Sequence, residues 1–265
     1  MERGRQRLAR LGAACRRAFG LVAKIGSGPG AGLRFDAGQY TQRFASGQYE
    51  RPVQEALAVA VNRGDVCYDV GANLGFFSIL LSRLAGPAGS VYAFEPVPEN
   101  ACTIERNARL NRLDNIKVVQ MALSSVDGKE ELLLAHHIGG AVLKSAGTPP
   151  DLAGSLVVET ATLDTLVERR RIKPPNILKI DVEGAEMEVL KGMERVLREW
   201  TPTVLLELDD EAAAACEEKV SVCRSFLHDL GYRTELLPNS YPDGRWFVRH
   251  FLARPATPTI TNRNA

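Results

Sequence analysis

Four apolar runs in this 265-residue chain end in a carboxylate, at Asp69, Glu95, Asp181 and Glu207. In open α/β sheets, ligands bind beyond the carboxyl ends of the strands. A surplus of acids at such ends can accept hydrogen bonds from hydroxyls, pair with a cation, or take a proton. Between the first two acids, residues 69–75 read DVGANLG. Small residues there let a ligand approach the backbone closely, and a helix starting beyond them offers free N–H groups.

The elements that must position these groups follow from the pattern. Val66 to Val70 is a short apolar run suited to a buried parallel strand. Gly71, Asn73 and Gly75 make a tight loop. Phe76 to Leu84 is apolar nearly all round, so it reads as a buried helix, stopped by Gly86, Pro87 and Gly89. Ser90 to Phe94 is a second strand, closed by Glu95 and Pro96. The acid lies 24 residues beyond Gly71, an interval suited to a carboxylate that takes both ribose hydroxyls of a nucleoside.

The loop separates two nucleoside ligands. A dinucleotide needs Gly-x-Gly-x-x-Gly, and Asn73 puts a side chain where a pyrophosphate needs bare backbone. Asp-x-Gly-x-x-x-Gly fits S-adenosylmethionine better. That ligand has no phosphate and presents an ammonium that Asp69 can meet directly or through water. Cofactor-binding candidates are thus Asp69, Gly71, Ala72, Asn73 and Gly75, with Glu95 and Pro96 at the ribose. Ala122 stands where a turn after the third strand would face an adenine, and Tyr49 precedes the first strand near the mouth of the site.

Further along, Pro98 to Asn111 reads as a helix and Ile116 to Gln120 as a strand. The Ala122-Leu123-Ser124 stretch reads as a turn. Glu130 to Leu134 is a strand, His136-His137-Ile138-Gly139-Gly140 a polar loop, and Thr148 to Gly154 a surface loop. Leu156 to Thr160 is a strand and Leu163 to Arg169 a helix. Asn176 to Ile180 is a core strand ending in Asp181-Val182-Glu183-Gly184. A helix is expected from Ala185 to Trp200, a strand at Val204 to Leu208 and a helix over 211–230. Arg233 to Leu237 and Trp246 to Leu252 read as a closing antiparallel pair, and the tail after Arg254 as frayed. Lys179 sits in an apolar run on the same strand face as Asp181 and requires a carboxylate partner, Asp181 or Glu207.

Composition bounds the rest. Net charge is +1 and apolar content 45%, which gives no global case for DNA or another polyanion. Five cysteines, at 15, 67, 102, 216 and 223, form no Cys-x-x-Cys pair and are odd in number, which favours reduced thiols and a cytoplasmic setting. No apolar run is long enough for a transmembrane segment. Residues 1–24 carry seven basic residues against Glu2, whereas the remainder has 26 basic and 31 acidic. That leader reads as a basic amphipathic helix, either packed on the domain or in weak contact with an acidic surface, and Ile25 to Gly32 as a flexible linker. The domain division expected is a leader and linker over 1–32 and one domain over 33–265.

Taken together, Ser46-Gly47-Gln48-Tyr49-Glu50, DVGANLGFFS (69–78), AFEP (93–96), ALSSVDG (122–128), TLDTL (162–166), LKIDVEGAEMEVLKG (178–192) and LLELDD (205–210) resemble the FkbM-type S-adenosylmethionine-dependent methyltransferase family. The resemblance implies an α/β, class I methyltransferase fold: Rossmann-like, doubly wound, with a mostly parallel seven-stranded sheet and an antiparallel edge strand. It implies S-adenosyl-L-methionine as donor and a hydroxyl acceptor on a small molecule, natural product or glycan. The catalytic candidates are Asp181, Glu183 and His137, and the hydroxyl proton is taken by Asp181 or by a nearby histidine, His136 or His137. No metal is expected, although Asp181 and Glu183 could hold a divalent cation. RNA or protein methylation is the alternative acceptor class. A cofactor-binding scaffold without catalysis is the alternative function.

Overall fold

The computed structural model describes residues 22–136, 140–242, 244 and 246–256. The basic leader up to residue 21, His137 and the end of the tail therefore lie outside the described residues. The chain divides into two compact units, one through Ala122 and one from Leu123 onward.

In the first unit, β1 (Val66–Val70), β2 (Ser90–Phe94) and β3 (Ile116–Val119) pair in parallel, Asp69 opposite Ala93 and Ala93 opposite Val118. Helix α1 (Arg51–Ala60) precedes β1. Helix α2 (Phe76–Ala85) follows it and is buried on nearly every side, as its apolar composition requires. Helix α3 (Pro98–Leu110) opens with proline in its first turn, where no N–H is needed.

The Ile25–Gly32 stretch is not a loose linker. Ile25 is buried, its N–H bonds the Leu33 carbonyl at 2.8 Å and its carbonyl accepts from Gly32 at 2.8 Å. Short strands Ala23–Lys24 and Arg34–Phe35 flank it as an antiparallel pair. The glycines thus serve a tight turn rather than a spacer.

The second unit holds the other strands of the mostly parallel sheet class. β7 (Ile177–Ile180), every residue buried, runs parallel to β8 (Thr203–Asp210). β10 (Phe247–Pro255) is antiparallel to β8 and to β9 (Tyr232–Leu236). The expected seven strands thus number three in the first unit and four in the second. A separate antiparallel group is built from β4 (Gly128–Ala135), β5 (Ala141–Leu143) and β6 (Leu152–Ala161). Helix α7 (Ala213–Asp229) covers the stretch between β8 and β9.

Three local expectations differ. Ala122–Leu123 is extended rather than a turn. β6 begins at Leu152, inside the expected surface loop. The single helix expected over 185–200 is two, α5 (Glu186–Lys191) and α6 (Glu194–Trp200). Tertiary contacts meet at the junction between them. A Cβ on Gly192 would lie 2.0 Å from the Ser124 carbonyl oxygen, so this residue must be glycine. Asp164, at the start of α4 (Leu163–Glu168), then accepts the Arg195 and Val196 N–H groups at 3.0 and 2.8 Å, capping the second helix from outside.

One buried amide ties the first unit together. Asn107 on α3 donates to the carbonyls of Asp36 (3.0 Å) and Leu74 (2.9 Å), and its oxygen accepts from the Asp36 N–H (2.8 Å). Asn107→Ala leaves those buried groups without partners, at a cost of about 3 kcal/mol. A chemical denaturation midpoint clearly below the parent's is expected; an unchanged midpoint would contradict it.

Candidate functional site

The loop after β1 is shaped by backbone geometry. Gly71, Asn73 and Gly75 all have positive φ, at 76°, 49° and 85°. Asparagine is one of the few side chains that tolerates this region, which accounts for its place between two glycines. A Cβ on Gly75 would meet Ile104 of α3 at 3.0 Å, so the glycine also permits close helix packing. The N–H groups of Gly71 and Ala72 both bond the Phe94 carbonyl, at 3.1 and 3.0 Å. The loop is therefore held to the end of the neighbouring strand.

Glu95 completes the junction. It is only 4% exposed. One carboxylate oxygen accepts the Asn73 N–H at 2.7 Å and the other accepts the Val97 N–H at 2.8 Å. Asn100 also bonds it. Burial pushes its pKa up to about 7, against the pull of those donors, and the nearby Asp69 charge adds to the rise. The two carboxylate oxygens have four lone pairs between them, so with three donors engaged acceptor capacity remains for a further hydroxyl.

Asp69 is buried and accepts the Ser78 hydroxyl of α2 at 2.5 Å. Ser78 was not foreseen as a site residue: a lone serine in an apolar helix carries no signal until its partner across the loop is known. The Asn73 side-chain oxygen is buried and has no hydrogen-bond partner, which suits an ammonium or hydroxyl donor arriving there. Tyr49 packs on Phe76 and Phe77 at the start of α2, with ring centroids 5.3 and 6.1 Å apart. Pro96 adjoins Glu95 and is half-buried. Ala122 is buried just beyond the third strand. These residues fit a nucleoside bearing a charged amino-acid end.

The second unit gathers acids at the ends of β7 and β8. Lys179, 2% exposed, pairs with Asp181 at 2.8 Å, one of the two partners expected. Glu207 pairs with His250 of β10, Oε2 to Nε2, at 2.7 Å. Glu183 sits in a strained turn with φ 54°. Its pKa is pushed up to about 9 by burial and then by the charges of Asp181, Asp209, Glu207 and Glu186. Burial likewise pushes Glu186 up to about 7, although it accepts the Gly184 N–H at 2.9 Å. Asp209 is raised by burial and by Asp181. Asp209 too was not singled out in the sequence, since it follows a strand-end acid that already had a role. His136 is exposed.

A model of the methyltransferase FkbM domain matches residues 69–234, which is more than half the chain. The chain belongs to the FkbM methyltransferase family. Over 150 residues it is 31% identical to the hexuronic acid methyltransferase AglP of Haloferax volcanii, covering 56% of this chain and 58% of that protein. Over 163 residues it is 30% identical to the 31-O-demethyl-FK506 methyltransferase FkbM of Streptomyces tacrolimicus, covering 51% and 62%. The chain thus spans under two thirds of the length of these two relatives. A solved protein from Clostridium thermocellum shares the fold at 8% identity, with a TM-score of 0.50 over 77% of this chain and 94% of its own. The family match spans both the glycine loop of the first unit and the acids of the second.

The raised acids set a pH dependence. Glu95 is shifted from 4.5 to about 7, so the folded chain holds this proton more tightly than the unfolded one. Its contribution to stability is full below about pH 4.5 and is lost as pH rises through about 7. In ligand-free protein, Glu95→Gln should therefore gain stability relative to the parent between about pH 5 and 8, on top of any constant offset. Denaturant midpoints across that range test this; a pH-independent difference would contradict it.

Proposed function

We propose that this chain transfers a methyl group from S-adenosyl-L-methionine to a hydroxyl of a small molecule, natural product or glycan. The observation that carries the proposal is Glu95: a buried carboxylate bonded to the glycine loop and retaining acceptor capacity where a ribose belongs. In this reading Asp69, Gly71, Ala72, Asn73 and Gly75 receive the methionine end. Glu95 and Pro96 receive the ribose, Ala122 lies along the adenine, and Tyr49 flanks the opening. When bound, the sulfonium supplies a methyl that is electrophilic already. The protein's task is alignment and removal of the acceptor proton.

The acids of the second unit divide that task. Glu183, with its pKa at about 9, holds a proton at neutral pH and is suited to donate a hydrogen bond rather than to take a proton. Asp181 is paired with a lysine ammonium and is the group assigned to accept the hydroxyl proton. His137 remains a candidate base from sequence. Hydroxyl acceptance is supported by the relative named for 31-O-demethyl-FK506. A cytoplasmic setting is supported by Cys67, Cys216 and Cys223, which are free thiols. Among the described residues no helix is long and apolar enough to cross a membrane.

Labelled-methyl transfer into extracts of the native cell tests the reaction. The parent is expected to label a product. Asp181→Asn should do so at least about 100-fold more slowly, the low end for loss of a general base, with S-adenosylhomocysteine affinity unchanged by calorimetry. Turnover equal to the parent's would remove Asp181 from the mechanism. No labelling by the parent would count against the reaction.

A further inference from the structure

The second unit contains a cleft of about 570 Å³ at the carboxyl ends of β7 and β8, a volume suited to a small-molecule ligand. One part of its lining is apolar: Pro149, Pro150 and the indole of Trp246, which is 40% exposed. The rest is acidic, from Glu183, Asp209, Asp210 and Glu211. Lys219 is the one cation among the described lining residues, and it is already engaged. Its Nζ lies 3.0 Å from the Asp210 carboxylate and 2.7 Å from the Asp209 carbonyl oxygen. Among the described residues no cation is ion-paired with Glu183, Asp209 or Glu211. The crowding shows in Glu183, which keeps a proton up to about pH 9 because burial and like charges surround it. A ligand cation would relieve the same crowding. An exposed indole beside carboxylates also binds cations through its ring face.

We propose that this cleft is the acceptor site and that it selects a hydroxylated acceptor carrying a protonated amine, bound against Trp246 and the carboxylates of Asp209, Asp210 and Glu211. The proposal rests on the methyltransferase reading and adds the charge class of the acceptor. An anionic acceptor, such as the hexuronic acid for which one relative is named, would meet like charge in this cleft.

A matched set of tetrasaccharides tests it on the full chain with S-adenosylhomocysteine bound: chitotetraose, cellotetraose and tetragalacturonate. Titrations are run at mildly acidic pH, where the chitotetraose amines are charged. Chitotetraose should bind at least ten-fold tighter than cellotetraose, and tetragalacturonate weakest of the three. Trp246→Ala should weaken chitotetraose at least five-fold. Glu211→Gln, at an exposed lip of the cleft, should weaken chitotetraose but not cellotetraose. Neither variant should alter S-adenosylhomocysteine affinity. Equal affinities, the reverse order, no binding of any tetramer, or indifference to Trp246→Ala would each overturn the charge selection and leave the methyltransferase reading standing. Failure of the parent to bind S-adenosylhomocysteine would remove that reading, and this proposal with it.

Discussion

The Glu95 carboxylate, fixed between the Asn73 and Val97 N–H groups, is the constraint on which the first unit's chemistry depends. Burying an acid is costly unless its oxygens are bonded, and here two backbone donors and a side-chain amide share that task. The cost is visible in its raised pKa. The return is a carboxylate that cannot swing away from the glycine turn. Gly71 and Ala72 bond the carbonyl of the residue before it, so loop and acid form one rigid junction. A pre-set acceptor of this kind takes a further donor without the cost of ordering a mobile side chain.

The second unit uses acids differently. The pKa values of Glu183, Glu186 and Asp209 are raised by burial and by the charges of neighbouring acids, Asp181 among them. Asp181 has a buried ammonium beside it, from Lys179. Glu183, raised by burial and by its acidic neighbours, also sits in a left-handed turn, a backbone conformation that costs energy for a residue with a side chain.

Much of this was legible in the sequence because the local backbone demands it. DVGANLG needs positive φ at three positions, and only glycine and asparagine occupy them. The acid closing the second strand declares itself by spacing. Other features depend on partners distant in the chain. Ser78 gains meaning from Asp69, and Asn107 from Asp36 and Leu74. The need for glycine at 192, between the two helices, comes from the Ser124 carbonyl, which no periodicity signals. The Glu207–His250 pair depends on an antiparallel register between β8 and β10. The glycines of Ile25–Gly32 read as a spacer because composition does not reveal that Leu33 bonds back to Ile25.

The most direct measurement is a crystal structure of the full chain grown with S-adenosylhomocysteine. The account predicts a ribose hydroxyl within hydrogen-bonding distance of the Glu95 carboxylate, with the amino-acid end over Gly71 to Gly75. A ribose bound elsewhere, with Glu95 still closed on Asn73 and Val97 and touching no ligand, would contradict it.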